Sequence, residues 1–121
     1  MDRSYLRRFH ASAIFHRIRV EPGISQREII DRTGFDKSTV SSVVNRFTDQ
    51  GLVERHAKSG ESRRGRPSEG LVISPTAGIL VGVEVEATEL TFVACGLDGS
   101  VLAKQTVDFD GRLEGVETTI A

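Results

Sequence analysis

The chain has no tryptophan, a single cysteine, and no apolar run of membrane-spanning length. Its longest uncharged run, Leu71–Val83, has 13 residues and contains Pro75, against the roughly 20 apolar residues a spanning helix needs. No membrane partner is therefore expected. The early apolar residues are interrupted by Arg7, Arg8, His10, His16, Arg17 and Arg19, which rules out a signal-peptide core there and points to a cytoplasmic chain. A lone cysteine, Cys95, can form no internal disulfide, so nothing calls for an oxidising compartment; within its hydrophobic run it is expected to be a small buried residue. His10, His16 and His56 lack the spacing of metal ligands, and no metal or cofactor is expected.

What is present is a charge asymmetry hidden by a net charge of −1. Residues 1–70 carry 14 Lys and Arg against 9 Asp and Glu, whereas residues 71–121 carry 2 against 8. A basic half followed by an acidic half suggests two modules with different partners. At 121 residues there is room for one ordinary domain or two small ones.

The basic half is organised around residues 24–66. Ser25 and Glu28 have the S-x-x-E spacing of a capping box, with Ile24 and Ile29 at the staple positions beside it. Gly34 is placed to stop that helix in the left-handed conformation, and Asp36 to cap the next. Two short helices with almost no linker are the expectation. In the second, residues 36–50, Val40, Val43, Val44 and Phe47 recur at i, i+3, i+4 and i+7, which makes one apolar stripe. At about 100° per residue, Ser38, Ser42, Asn45 and Asp49 land opposite, with Ser41 and Arg46 on the flanks. Short polar side chains let a helix backbone approach base edges, and Asn and Arg can make bidentate base contacts. An ordinary solvent-facing helix in a helical hairpin remains the alternative.

Around this pair, residues 3–20 read as a first helix with a stripe of Leu6, Phe9, Ala13, Ile14 and Ile18, ended by Glu21-Pro22-Gly23. After Gly51, residues 52–56 read as a strand and 71–74 as its antiparallel partner. Residues 57–70 between them are rich in Gly, Ser and Arg and read as a flexible wing. Arg64-Gly65-Arg66-Pro67 looks like an AT-hook: Gly clears the groove floor, and Arg side chains enter the negative potential of a narrow minor groove. A solubilising loop would look much the same.

Together these features predict a winged helix-turn-helix domain at residues 1–75 that binds a double-stranded DNA operator. Lys37, Ser38, Thr39, Ser41, Ser42, Asn45 and Arg46 would face the major groove, with Asn45 and Ser42 the leading candidates for base contacts. Ser25, Gln26 and Arg27 would make contacts to the DNA backbone, and Arg63, Arg64, Gly65 and Arg66 would enter the minor groove. Beyond Pro75 the period changes, and residues 79–86, 90–97 and 100–107 read as three strands, with Asp98-Gly99 as a two-residue hairpin turn. Residues from Gly111 onward read as the start of another helix. The overall fold class is α+β, and residues 76–121 look like the opening of a larger domain. Pairing of exposed strand edges would make a homodimer.

Winged helix, Gly65-Arg66-Pro67, then Val81-Gly82-Val83-Glu84-Val85-Glu86-Ala87-Thr88 and a strand ending Leu97-Asp98-Gly99 resemble the ROK group of bacterial repressors, open reading frames and sugar kinases. The resemblance implies an operator-binding winged helix followed by the first strands of an actin-like, ribonuclease-H-like domain, and a repressor of carbohydrate-related genes. Kinase members of the group have an Asp-x-Gly-Gly-Thr loop where this chain has Glu84, Glu86, Ala87 and Thr88, so no kinase activity is expected. The group's zinc cysteines, sugar contacts and catalytic Asp would fall beyond residue 121, so neither a sugar nor a zinc site is expected in this stretch. A non-catalytic kinase fragment and a protein-interaction winged helix are the rival readings.

Overall fold

The computed structural model describes residues 2–58 and 69–110. The chain divides into two compact units, Met1–Ala77 and Gly78–Ala121.

The first unit is three helices on a two-stranded sheet. α1 (Arg3–Val20) is capped by Asp2, whose carboxylate accepts from the Ser4 amide at 3.1 Å. α2 (Gln26–Thr33) opens with the full Ser25–Glu28 capping box and closes on Gly34 at φ 70°, whose amide bonds to the Ile30 carbonyl. Asp36 then caps α3 (Lys37–Asp49) through the Thr39 amide. The helix pair is thus fixed by three local devices, as the sequence implied.

Gly51, at φ 71°, turns the chain out of α3, and the Leu52 amide bonds back to the Phe47 carbonyl at 2.8 Å. That bond ties the Leu52 amide back to α3, although the Leu52 carbonyl still accepts from the Ser74 amide at 2.9 Å. β1 (Val53–Ala57) starts one residue later than expected and pairs antiparallel with β2 (Glu69–Ile73), from Val53 opposite Ile73 to Ala57 opposite Glu69. Ile24 bridges to Leu71 on the other side of β2.

The core gathers the α3 stripe Val40, Val43, Val44 and Phe47 with Ile14, Ile18, Ile24, Ile29, Val53, Leu71 and Ile73, all buried. The Phe15 ring meets Phe47 edge-on at 5.9 Å. The expected α1 stripe is correct only in its second half. Leu6 and Phe9 are exposed, at 43% and 51%, because α2 and α3 are short and their apolar faces are filled by Ile14 and Ile18. Phe9 instead lies beside His10 and Phe35.

The second unit is an antiparallel meander of β3 (Ile79–Val85), β4 (Glu89–Gly96) and β5 (Val101–Asp108). Its strands fall within about a residue of the expected ones, but the last connection is not a two-residue hairpin. Four residues, Leu97–Ser100, join β4 to β5. Asp98 accepts from both the amide and the hydroxyl of Ser100, Gly99 takes φ 91°, and the register shifts between Ala94 and Cys95. The extra residues let the Asp98 turn close over that bulge. Leu90 is buried, whereas Ile79, Leu80, Val81, Val83, Val85, Val101 and Leu102 are exposed. Cys95 is half-buried, not the buried residue expected, because the meander has so little to cover it. The expected helix from Gly111 lies outside the described residues.

Candidate nucleic-acid interface

α3 turns its four core residues inward, and the opposite face is what it offers to a partner. Lys37, Ser38, Ser42, Asn45, Arg46 and Asp49 are exposed, with Thr39 and Ser41 half-buried at the edge. Every side chain at the centre of that face is short. A helix so surfaced can lie deep in a groove, where long Glu or Lys side chains would hold it off.

The N-terminal end of this face is tied to its own cap. Asp36 accepts from the Ser38 hydroxyl, from the Thr39 hydroxyl at 2.7 Å and from the Thr39 amide at 2.9 Å. Those bonds, the Ser38 hydroxyl foremost, hold the Asp36 carboxyl well below the usual carboxylate range. Both hydroxyl protons being engaged, Ser38 and Thr39 present acceptor lone pairs outward. Ser42 lies one turn on, beside a cleft of about 390 Å3 lined by Arg7, His10, Ser38, Thr39, Ser42, Val43 and Arg46. α1 therefore contributes a cation, Arg7, directly to the edge of the α3 face. The His10 ring lies tilted against Phe35, in the turn before α3, with ring centroids 4.6 Å apart.

At the other end, Arg55 of β1 reaches across to α3 and donates to Asn45 Oδ1 at 2.6 Å, while its other terminal nitrogen pairs with Glu69 Oε2 at 3.2 Å. Sequence reading missed Arg55. The available signal was strand alternation: Arg55 is two residues from buried Val53 and so shares its α3-facing side.

The start of α2 is more committed than expected. Ser25 is buried; its hydroxyl donates to Glu28 Oε2 at 2.8 Å and accepts from the Glu28 amide at 3.2 Å. Gln26 is half-buried and Arg27 exposed. Lys58, the residue after β1, donates to the same Glu28 oxygen at 2.7 Å. That ammonium first, with the Ser25 amide and hydroxyl, lowers the Glu28 carboxyl to about 2. Arg63, Arg64, Gly65 and Arg66 lie outside the described residues.

Among the described residues no three His, Cys, Asp or Glu side chains come together as a metal site. No described helix is long and apolar enough to cross a membrane.

This architecture has known counterparts. A MarR-family model matches residues 7–65. The xylose repressors of Bacillus spizizenii and Bacillus subtilis are each 28% identical over 104 residues, which covers 86% of this chain and 27% of theirs. An HTH-type transcriptional regulator of Mycobacterium tuberculosis is 33% identical over 69 residues, 57% of this chain and 27% of that protein. In fold, the chain is similar to a crystal structure of a ROK-family transcriptional regulator described as a homologue of the E. coli MLC protein. The TM-score is 0.70 at 17% identity, covering 95% of this chain and 29% of that one. The chain thus spans about a quarter of the length of the relatives it matches.

Proposed function

We propose that this chain, similar over most of its length to two xylose repressors and in fold to a ROK-family transcriptional regulator, binds double-stranded DNA sequence-specifically through α3 and represses carbohydrate-related genes by occupying an operator. The carrying observation is the exposed face of α3, with Ser38, Ser42, Asn45 and Arg46 projecting from a helix whose other side is core. Ser42 and Asn45 read base edges, Lys37, Ser41, Thr39 and Arg46 border them, and Ser25, Gln26 and Arg27 set the start of α2 against phosphates. Arg63, Arg64 and Arg66 follow the flanking minor groove, with Gly65 clearing its floor. The target class is supported by the xylose repressors among the relatives. The chain acts in the cytoplasm, as a binding protein and not an enzyme, and a second copy pairs with it.

Salt titration tests this directly. Each phosphate neutralised by a cation steepens the fall of affinity with salt. Arg64→Ala together with Arg66→Ala should lower the slope of log K against log salt by roughly 1–2, read by fluorescence anisotropy on a duplex selected from random sequence. An unchanged slope would remove the wing from the mechanism.

A further inference from the structure

Asn45 projects from the exposed face in the C-terminal half of α3, yet its amide is not free to turn. A guanidinium has donors only, so the amide atom that faces Arg55 Nη2 at 2.6 Å is the oxygen. Turning the amide over would set its NH2 against a guanidinium N–H, donor to donor. Arg55 is itself anchored: its side chain is only 29% exposed, and Glu69 on the neighbouring strand holds the other end of the guanidinium at 3.2 Å. Glu69 also offsets the charge that would draw Arg55 toward a phosphate. Asn45 Nδ2, by contrast, has no hydrogen-bond partner among the described residues.

We infer that Arg55 is a specificity-determining positioning residue, which holds Asn45 with its NH2 leading into the groove and so makes it read guanine. This rests on α3 occupying the major groove as proposed above. A freely turning Asn pairs with adenine through both ends of its amide, accepting from N6 and donating to N7. An amide whose oxygen is tied back toward β1 leads with donors, and donors match the adjacent N7 and O6 acceptors of guanine. The wing strand thus edits the hydrogen-bond code of the recognition helix without touching a base.

The test is selection of the whole 121-residue chain on random-sequence duplex DNA, with thermal melting to confirm that each variant folds. Asn45→Ala flattens the preference at one base pair and so identifies it. There the unaltered chain should favour guanine over adenine by about tenfold. Arg55→Met keeps the stem but has no donor, and moves the preference to adenine; Arg55→Lys, a donor only, keeps guanine. Glu69→Gln, which loosens the guanidinium, shifts preference the same way as Arg55→Met and serves if that variant does not fold. An Arg55→Met profile weakened uniformly, with the same base preferred at that position, overturns the inference and makes Arg55 a phosphate contact. So does an Asn45→Ala profile with no position flattened. Failure of the unaltered chain to select any sequence would instead sink the major-groove reading beneath it.

Discussion

At the scale of single residues, Glu28 does most with least. One of its oxygens accepts from the Ser25 amide at 2.7 Å, the Ser25 hydroxyl at 2.8 Å and the Lys58 ammonium at 2.7 Å. These donors favour the charged form and lower its pKa to about 2 from an ordinary 4.5. A depressed carboxylate stabilises the fold fully above its unfolded pKa and loses that contribution as pH falls through its folded pKa. The window is therefore about pH 4.5 down to about 2. Solvent screens this exposed pair, so the effect is modest. Melting curves of the chain and of Glu28→Gln should differ above pH 4.5 and converge as acid is added toward pH 2; a gap that stays constant would show that the carboxylate's charge is not what matters. Half of this arrangement was legible in the sequence. Ser25 and Glu28 are three residues apart, and such spacing on a helix start has one geometric meaning. Lys58 is 30 residues away from Glu28 and Arg55 is 10 from Asn45, and only the placement of β1 beside the helices brings those pairs together. Asp36 was legible as a cap, but not as the acceptor of hydrogen bonds from the Ser38 and Thr39 hydroxyls.

At the scale of elements, turns and stripes in the sequence defined α2 and α3 because their signals are local: an N-cap, a left-handed glycine, and apolar residues every three or four. α1 was over-read, since periodicity marks a face that could be buried and cannot say how far the neighbouring helices extend over it. The sheet of the first unit depends on a contact that pattern alone does not reveal. β2 packs so closely on the turn before α2 that a Cβ on Gly70 would sit 2.8 Å from the Gly23 carbonyl oxygen and 3.1 Å from its Cα. Both are backbone atoms and cannot rotate aside. The approach is fixed from either side by Gly23 N–H to Leu71 O and Leu71 N–H to Ile24 O, each 2.8 Å. Gly70→Ala must therefore spread β2 from the turn or break those bonds, at a cost of about 1–3 kcal/mol typical of overpacking. Urea unfolding should show a lower midpoint with an unchanged slope. Gly82→Ala is the control, since a Cβ there meets nothing within 4 Å; equal midpoints for the two variants would mean that the turn and β2 part freely.

At the scale of the whole chain, charge and apolar surface pull in opposite directions. The basic character belongs to the Met1–Ala77 unit and the acidic character to the Gly78–Ala121 unit. In the latter, Ile79, Val81, Val83 and Val85 alternate along β3 and are 50–66% exposed. Among the described residues β3 pairs with β4 alone, which leaves its other edge without a strand partner there. An apolar strand with an open edge is a template for a second copy, and the like charges of two acidic units oppose that encounter. Salt decides between them. Screening over a Debye length of about 8 Å at physiological ionic strength weakens the repulsion and leaves the hydrophobic attraction in place. The 121-residue chain should then self-associate at micromolar concentration, more as salt is raised, which is the reverse of the salt dependence of its DNA binding. Sedimentation velocity across a salt series reads this directly. Val81→Lys with Val83→Lys places two charges on one face of β3 and should return the chain to monomer at every ionic strength. A wild-type chain that sediments as a monomer throughout would show that the meander's exposed face does not recruit a second copy, and pairing would then have to arise elsewhere.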